Sequence, residues 1–331
     1  MPISDETIDN PRALRIRRAA DLTDVRERRR YGRMLVEGPQ AVREAVAFVP
    51  SALHDVFVEV TNAPDPMAAG EDGHAHPHAW ASPRLAGVAE AADAAGAYVH
   101  PVTSRVMHRL APEAQGVVAV ADLPSPAMPT DDRGGCPGMV AAFWQIRDPG
   151  NAGAVIRVAD AAGCAAAVFV DDCVDAYGPK VARSTAGSLF HLPVVHLSTS
   201  DFLGWSAGSG LPLIAADVHG MPDVRPVPLP ALLARRSVAS RGGRVCVLFG
   251  NEARGLPDSL LVRADEVASI PMYGHAESLN LATSAAVLLY ALAMSGRQGT
   301  SAGDVDAGAG TGRGSAAAAV GGSAGTTGVV E

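Results

Sequence analysis

The sequence predicts an α/β protein in two units, the second built on a parallel sheet with helices on both faces. Three observations carry this. Apolar runs of strand length alternate with helical stretches from Met139 onward, as βαβ units do. A stretch rich in Pro, Gly and Asp at 123–137 separates this series from a shorter one before it. Residues 245–296 then run strand, loop, short apolar segment, loop, long helix. Each apolar piece there ends in polar or Gly-rich chemistry, so the path implies a pocket built largely from loop backbone.

Composition sets the bounds. A chain of 331 residues is long for one domain and comfortable for two, and 48% apolar with 19% charged residues is enough to bury a core. The longest apolar run, Ala285 to Met294, is about half of what a bilayer needs, and the N-terminus MPISDETIDN lacks the apolar centre of a signal peptide. Cys136, Cys164, Cys173 and Cys246 show no Cys-x-x-Cys spacing. They read as reduced residues of a cytoplasmic protein, with no zinc site. The net charge of −8 argues mildly against a polyanion partner. Yet Arg12 to Arg43 holds ten arginines against four acids, and arginine suits bidentate phosphate contacts.

In order, residues 1–11 read as a flexible lead, and Arg12 to Ala47 has a helical pattern broken at Gly38-Pro39. Asp55–Val60 alternates as a strand. Residues 61–79 are loop by composition; His74, His76 and His78 fall there, without a partner cysteine, and read as incidental rather than as a metal site. A helix at Pro83–Ala95, a strand at Ala97–Val102, a helical piece at Ser104–Leu110 and a strand at Val117–Ala121 complete a first unit, residues 12–122. The second unit, 138–296, has strands expected at Met139–Trp144, Ala166–Val170, Leu192–His196, Pro212–Asp217 and Val245–Phe249. Helices are expected at Ala152–Ala162, Pro179–Gly187, from Ser200, at Ala231–Ser240 and from Ser278. Residues 297–331 are Gly, Ala, Ser and Thr with little to bury, and read as a disordered tail. Its GAGTGRG run is no dinucleotide fingerprint, because it follows no strand and has the wrong spacing.

Three constellations carry chemistry. Asn151 sits where a strand-to-helix turn places an N-cap and an anion site. Arg157 lies in an apolar helix between Ile156 and Val158, with Gly153, Ala154 and Ala161 around it. Those small neighbours imply a groove that leaves the guanidinium accessible though partly buried and in need of a partner, with Asp160 and Glu252 as the two candidates. Glu252 follows Gly250-Asn251 at the C-terminal end of an apolar strand, where ligands bind in parallel α/β sheets. Ser278-Leu279-Asn280 opens the last helix; Ser278 serves as its cap, whereas Asn280, within the first turn, is not explained by capping.

Together, Asn151, Arg157, Gly250-Asn251-Glu252, Ile270-Pro271-Met272 and Ser278-Leu279-Asn280 resemble the three signature motifs of the SpoU (TrmH) group of SPOUT RNA ribose 2′-O-methyltransferases, in order and in spacing. The resemblance covers about 138–296. Residues 171–195, with Lys180, Ser184 and Ser188, resemble the family's middle segment. Val36-Glu37-Gly38-Pro39 and Gln115-Gly116-Val117 resemble its substrate-binding domain, an α/β fold akin to ribosomal RNA-binding proteins. The resemblance implies a SPOUT domain with a deep trefoil knot and a homodimer whose active sites form at the interface. It also implies S-adenosylmethionine held by Gly250, Ile270, Met272 and Leu279, with no metal. Catalysis is then expected from Arg157, positioned by Asn151, Glu252, Ser278 and Asn280, with ribosomal RNA as substrate. Transfer RNA, and a non-catalytic RNA-binding or ribosome-assembly role, stay open as alternatives. A nicotinamide-dependent oxidoreductase is disfavoured by the missing glycine fingerprint.

Overall fold

The computed structural model describes residues 3–61, 79–130, 138–239 and 244–297. The loop histidines 74, 76 and 78, Cys136, and the tail from residue 298 lie outside the described residues. Helices α1 (Leu14–Asp21) and α2 (Val25–Tyr31) come first, then strand β1 (Arg33–Glu37) and helix α3 (Pro39–Phe48). Strand β2 (Leu53–Glu59), helix α4 (Pro83–Ala94), strand β3 (Tyr98–Val102), helix α5 (Ser104–Leu110) and strand β4 (Val117–Asp122) follow. These strands form one sheet in the order β1-β4-β2-β3, antiparallel except for the β2–β3 pair.

Two expectations are corrected here. The helical reading of 12–47 is interrupted by β1, because Met34, Leu35 and Val36 are fully buried and pair with Val120, Ala119 and their neighbours on β4. Gly32, at φ +61°, ends α2 in a left-handed cap that a side chain rarely adopts. Residues 3–11 are no loose lead either. Ile3 is buried, and the amides of Ser4 and Ile8 donate to the carbonyls of Val99 and Pro101, so the segment runs along β3.

The second sheet contains β5 (Val140–Trp144), β6 (Ala166–Val170), β7 (Val194–Leu197), β8 (Leu213–Ala216), β9 (Val227–Pro228), β10 (Cys246–Phe249) and β11 (Glu266–Ser269). Its order is β7-β6-β5-β10-β8-β11-β9, with every pair parallel. The connecting helices are α6 (Pro149–Ala161), α7 (Pro179–Ser184), α8 (Thr199–Gly208), α9 (Leu229–Ala239), α10 (Asp258–Leu261) and α11 (Leu281–Arg297). Strand parity sorts the core. Ala141, Phe143, Phe169, Val247 and Phe249 face one side together with residues of α6 and α11. Val140, Ala142, Val168, Cys246 and Leu248 face the other with Phe202 and Leu260. Phe143 stacks on Phe249 at 5.2 Å and meets Phe169 edge-on at 6.3 Å, tying the adjacent strands β6, β5 and β10.

Some boundaries differ from expectation. The apolar segment 269–272 is not a strand: β11 lies earlier, at Glu266–Ser269, where it pairs with β8. Helix α10 was not anticipated, and α7 stops at Ser184 instead of reaching Gly187, since Ala186 and Gly187 take positive φ. The last helix starts at Leu281, not at Ser278.

The two sheets are joined by charged pairs across α7 and its flanks. Arg28 is buried, donates to the carbonyls of Leu22 and Thr23, and pairs with Asp175. Arg183 reaches Glu37 at 2.8 Å. His191 lies between Asp160 (2.8 Å) and Glu44 (3.5 Å), with its ring against Phe48. Burial pushes the Glu37 carboxyl above its ordinary 4.5; the charge and hydrogen bond of Arg183 pull against this, and Glu113 adds a small push upward.

The pH dependence follows from that direction. The folded protein keeps the Glu37 proton to higher pH than the unfolded chain does, so this group's stabilising contribution is lost as pH rises from 4.5 through the raised value. Urea midpoints measured from about pH 4 to about pH 7 for wild type and Glu37→Gln are expected to show wild type losing ground to the variant across that window. A difference that grew in wild type's favour with pH would contradict the assignment.

Candidate active site

The parallel order places a crevice at the C-terminal ends of β5 and β10. From β5 the chain moves outward through β6 to β7, then crosses to β8 and returns to fill the gap with β10. Such a reversal leaves a gap between the loops that ligands fill. Loops from four strands meet there: 145–151 after β5, 217–220 after β8, 250–256 after β10 and 270–280 after β11.

The turn after β10 is set by sterics. A Cβ on Gly250 would lie 2.7 Å from both the carbonyl oxygen of Gly255 and the amide nitrogen of Leu256, so only glycine lets the chain fold back on itself here. Asn251, 8% exposed, closes the turn. Its Oδ1 accepts from Ala253 N (3.0 Å), its backbone bridges Gly255, and its Nδ2 donates to the carbonyl of Gln145 (2.8 Å). The β10 loop is thereby fastened to the end of β5.

On this base three polar side chains from three loops join. Asn280 Nδ2 donates to Asn151 Oδ1 at 3.0 Å, and Asn151 Nδ2 donates to Glu252 Oε1 at 2.9 Å. The capping roles differ from expectation. Asp148, not Asn151, caps α6 by accepting from Asn151 N, and Asn280, not Ser278, caps α11 by accepting from Ala282 N. The side chain of Asn151 is thus free for the chain of amides, and the oxygen of Asn280 holds the helix while its nitrogen reaches Asn151.

The cavity behind these residues measures about 740 Å³. Gly250, Ile270, Met272 and Leu279 line it together with Asn151, Glu252, Ser278 and Asn280. Arg157 does not line it. This arginine is exposed on α6, with no hydrogen-bond or ion-pair partner among the described residues. The expected partial burial and pairing are corrected: Glu252 is engaged by Asn151, and Asp160 by His191. Gly153, one turn before it, is buried against Ser184 and Val181 of α7 and leaves no groove for the guanidinium. Lys180 is exposed, Ser184 donates to the Lys180 carbonyl, and Ser188 is buried; none of them lines the cavity.

Sequence reasoning missed the Asp217–Gly220 segment, which lines the cavity beyond β8. Asp217 Oδ1 accepts from His219 N and Gly220 N (2.8 and 2.7 Å), making a tight polar turn. Its signal was available: in a parallel sheet every strand's C-terminal loop on the crevice side is a candidate. Cys173 is no nucleophile at neutral pH, since burial pushes its thiol up to about 11 against two backbone hydrogen bonds. Among the described residues there is no cluster of three side chains that would hold a metal ion.

Residues 138–290 match the family model described as the SpoU rRNA methylase family. The chain is 32% identical over 178 residues to the 23S rRNA (guanosine(2553)-2′-O)-methyltransferase RlmP of Bacillus subtilis, covering 54% of this chain and 64% of that protein's length. It is 32% identical over 210 residues to the 23S rRNA (guanosine-2′-O-)-methyltransferase RlmB of Bordetella pertussis, covering 61% and 80%. A crystal structure of an RNA 2′-O ribose methyltransferase superposes with a TM-score of 0.66 at 28% identity, over 88% of this chain and all of that one.

Replacing Gly250 with alanine is expected to destabilise the fold by about 1–3 kcal/mol through overpacking against backbone that cannot move aside. Chemical denaturation checks this. A variant as stable as wild type would mean that the turn tolerates a side chain and is not set by sterics.

Proposed function

This chain belongs to the SpoU rRNA methylase family, and from that premise we propose that it transfers a methyl group from S-adenosylmethionine to a ribose 2′-hydroxyl of ribosomal RNA. The observation that carries the reading is the hydrogen-bonded run Asn280–Asn151–Glu252 at the mouth of a cavity walled by the motif residues. A protein that merely bound RNA would need no such fixed polar run beside a deep cavity. The N-terminal sheet and its arginine-rich helices are read as the RNA-binding unit, residues 12–122, and 138–296 as the methyltransferase domain.

The residues present suit the donor. Ile270, Met272, Leu279 and Leu288 offer apolar walls for a purine, and Gly250 leaves backbone accessible beside them. Asp217, Glu252, Asp258 and Glu277 make the lining acidic, which favours a ligand bearing a sulfonium and an ammonium. When bound, the donor supplies an electrophilic methyl on a sulfonium. The protein's part is to bring the sugar hydroxyl in line with it and to stabilise the negative charge that develops on its oxygen as the proton passes to solvent. Asn151, locked on one side by Asn280 and on the other by Glu252, presents a fixed amide to the ribose. Ser278 lines the same mouth. Arg157 stabilises the developing alkoxide; a guanidinium stays charged at working pH, so orientation and charge are its role in this account.

An arginine that points to solvent on its own chain meets this need from across an interface. In the proposed homodimer, Arg157 of one copy serves the cavity of the other. Support comes from α11, which buries Leu281, Ala285, Leu288, Leu289 and Leu292 yet leaves Val287, Tyr290 and Met294 exposed, a face suited to a second copy. The proposed trefoil knot rests on the late insertion of β10 between β5 and β8, followed by the return of the chain through the 270–280 loop to α11 against α6. Ribosomal RNA as substrate places the working protein in the cytoplasm. No helix among the described residues is long and apolar enough to cross a membrane.

In a tritiated methyl-transfer assay on 23S rRNA transcripts, Arg157→Ala is expected to lose roughly a hundredfold in turnover while binding the donor as wild type does. Retained turnover would remove Arg157 from the mechanism. Light scattering is expected to give twice the chain mass, and a monomer that remained fully active would end the shared-site reading.

A further inference from the structure

We infer that Arg254 holds a backbone phosphate of the RNA next to the reacting nucleotide, with Trp144 and Gln145 as its seat; this rests on the methyl-transfer reading above. Charge comes first. Among the described residues lining the cavity, Arg254 is the sole arginine or lysine, against Asp217, Glu252, Asp258 and Glu277. A polyanion approaching this mouth is repelled by four carboxylates unless a cation meets it.

Geometry comes second. Arg254 is exposed, yet its position is defined. Its guanidinium carbon lies 5.9 Å from the centroid of the Trp144 ring, and its Nη2 donates to Gln145 Oε1 at 2.6 Å. Gln145 is itself fixed: its backbone takes φ +51°, its Nε2 donates to Asp171 Oδ2 at 3.3 Å, and its carbonyl accepts from Asn251. Indole and amide hold one side of the fork and leave other N–H groups for a ligand.

Third, this charge is not neutralised. No carboxylate lies within 4.0 Å of the Arg254 guanidinium among the described residues, whereas nearby Arg147 is paired with Asp172. An exposed arginine held by an aromatic contact and a hydrogen bond, with no carboxylate partner, is pre-organised for an oxyanion. Position names the oxyanion. Arg254 stands two residues beyond Glu252, whose carboxylate holds Asn151, so a phosphate on Arg254 is adjacent to the nucleotide whose sugar Asn151 faces. The competing anion is the carboxylate of the donor, and binding measurements separate the two.

The test uses full-length wild type, Arg254→Ala and Arg254→Lys, with an in vitro-transcribed 23S rRNA and S-adenosylmethionine as separate probes. Arg254→Ala is expected to weaken RNA binding about tenfold at low salt. It is also expected to flatten the log–log salt dependence by about 0.7–0.9, the share of one phosphate contact. Donor affinity stays within about twofold, which also shows that the cavity is folded. Arg254→Lys recovers the salt slope because it keeps the point charge, but loses the forked geometry and part of the affinity. An unchanged slope and RNA affinity in Arg254→Ala overturns the inference. So does a donor affinity that falls tenfold with the RNA slope unmoved, which assigns the arginine to the donor's carboxylate. RNA binding is read without turnover, so a wild type that binds RNA but transfers no methyl group defeats the proposed function and leaves the salt slopes to decide Arg254.

Discussion

The absence of a side chain at residue 250 is the constraint on which the site depends. Because the backbone of Gly255 and Leu256 lies against its Cα, the loop after β10 must double back within a few residues. That fold-back makes the turn which Asn251 closes and which holds Glu252 beside Asn151. The same turn carries the tie from Asn251 to the Gln145 carbonyl. One close approach of backbone to backbone therefore fixes the relative placement of the β5 and β10 loops. The third loop joins through Asn280, whose cap of α11 anchors it to a helix packed on the core. Glycine is used here for proximity, since its φ lies outside the left-handed region.

The cations of this chain divide by what they touch. Arg28 and Arg183 act as fasteners within the chain: one is buried on two carbonyls and Asp175, the other reaches the buried Glu37 from an exposed position, and they hold the first unit to α7 and the loop before it. Arg28 belongs to the arginine-rich stretch that the sequence offers as an RNA contact, and burial removes it from that role. Arg12, Arg17, Arg18, Arg26 and Arg29 remain exposed. A count of arginines along the chain does not separate fasteners from contacts, because α2 presents Arg28 inward while Arg29 and Arg30 face solvent. Helical spacing contains that distinction only once the neighbouring strand is known.

Much of the second sheet was legible because its strands are short, apolar and separated by helix-length intervals; its β6, like α5 of the first unit, matches its expected bounds to the residue. Strand β1 was not, since Met34–Val36 between two helices reads equally as one turn of an apolar face until β4 supplies its hydrogen bonds. The candidate site was proposed by motif, and one cavity gathers eight of the nine residues expected in it. What the sequence could not give was the division of labour within the motifs. Either Asp148 or Asn151 can cap α6, and either Ser278 or Asn280 can cap α11. The choice follows from the amide run, which needs Asn151 free of its helix and Asn280 close enough to reach it. Arg157 shows the same limit: small neighbours in the sequence suggested a groove, but Gly153 uses its smallness to admit α7.

The overall charge of −8 and an RNA substrate are compatible because electrostatics acts over about a Debye length, roughly 8 Å at physiological salt. The cavity itself is acidic, which suits a cationic donor and opposes a phosphate inside it. That opposition is useful. On the proposed reading, repulsion from the interior would leave the RNA backbone at the rim, where Arg254 lies within cation–π range of Trp144 and has no carboxylate partner, and only the sugar would need to enter as far as Asn151. The proposed donor and acceptor carry opposite charge, so one field would sort them to the two sides of the same mouth. An arginine deep in the cavity would blur that sorting by competing for the donor's carboxylate and drawing phosphate inward. The placement of Arg157 on the outer face of α6, away from its own cavity, fits the same logic. In the proposed homodimer that charge is supplied to the cavity of the other copy, where methyl transfer is proposed to take place.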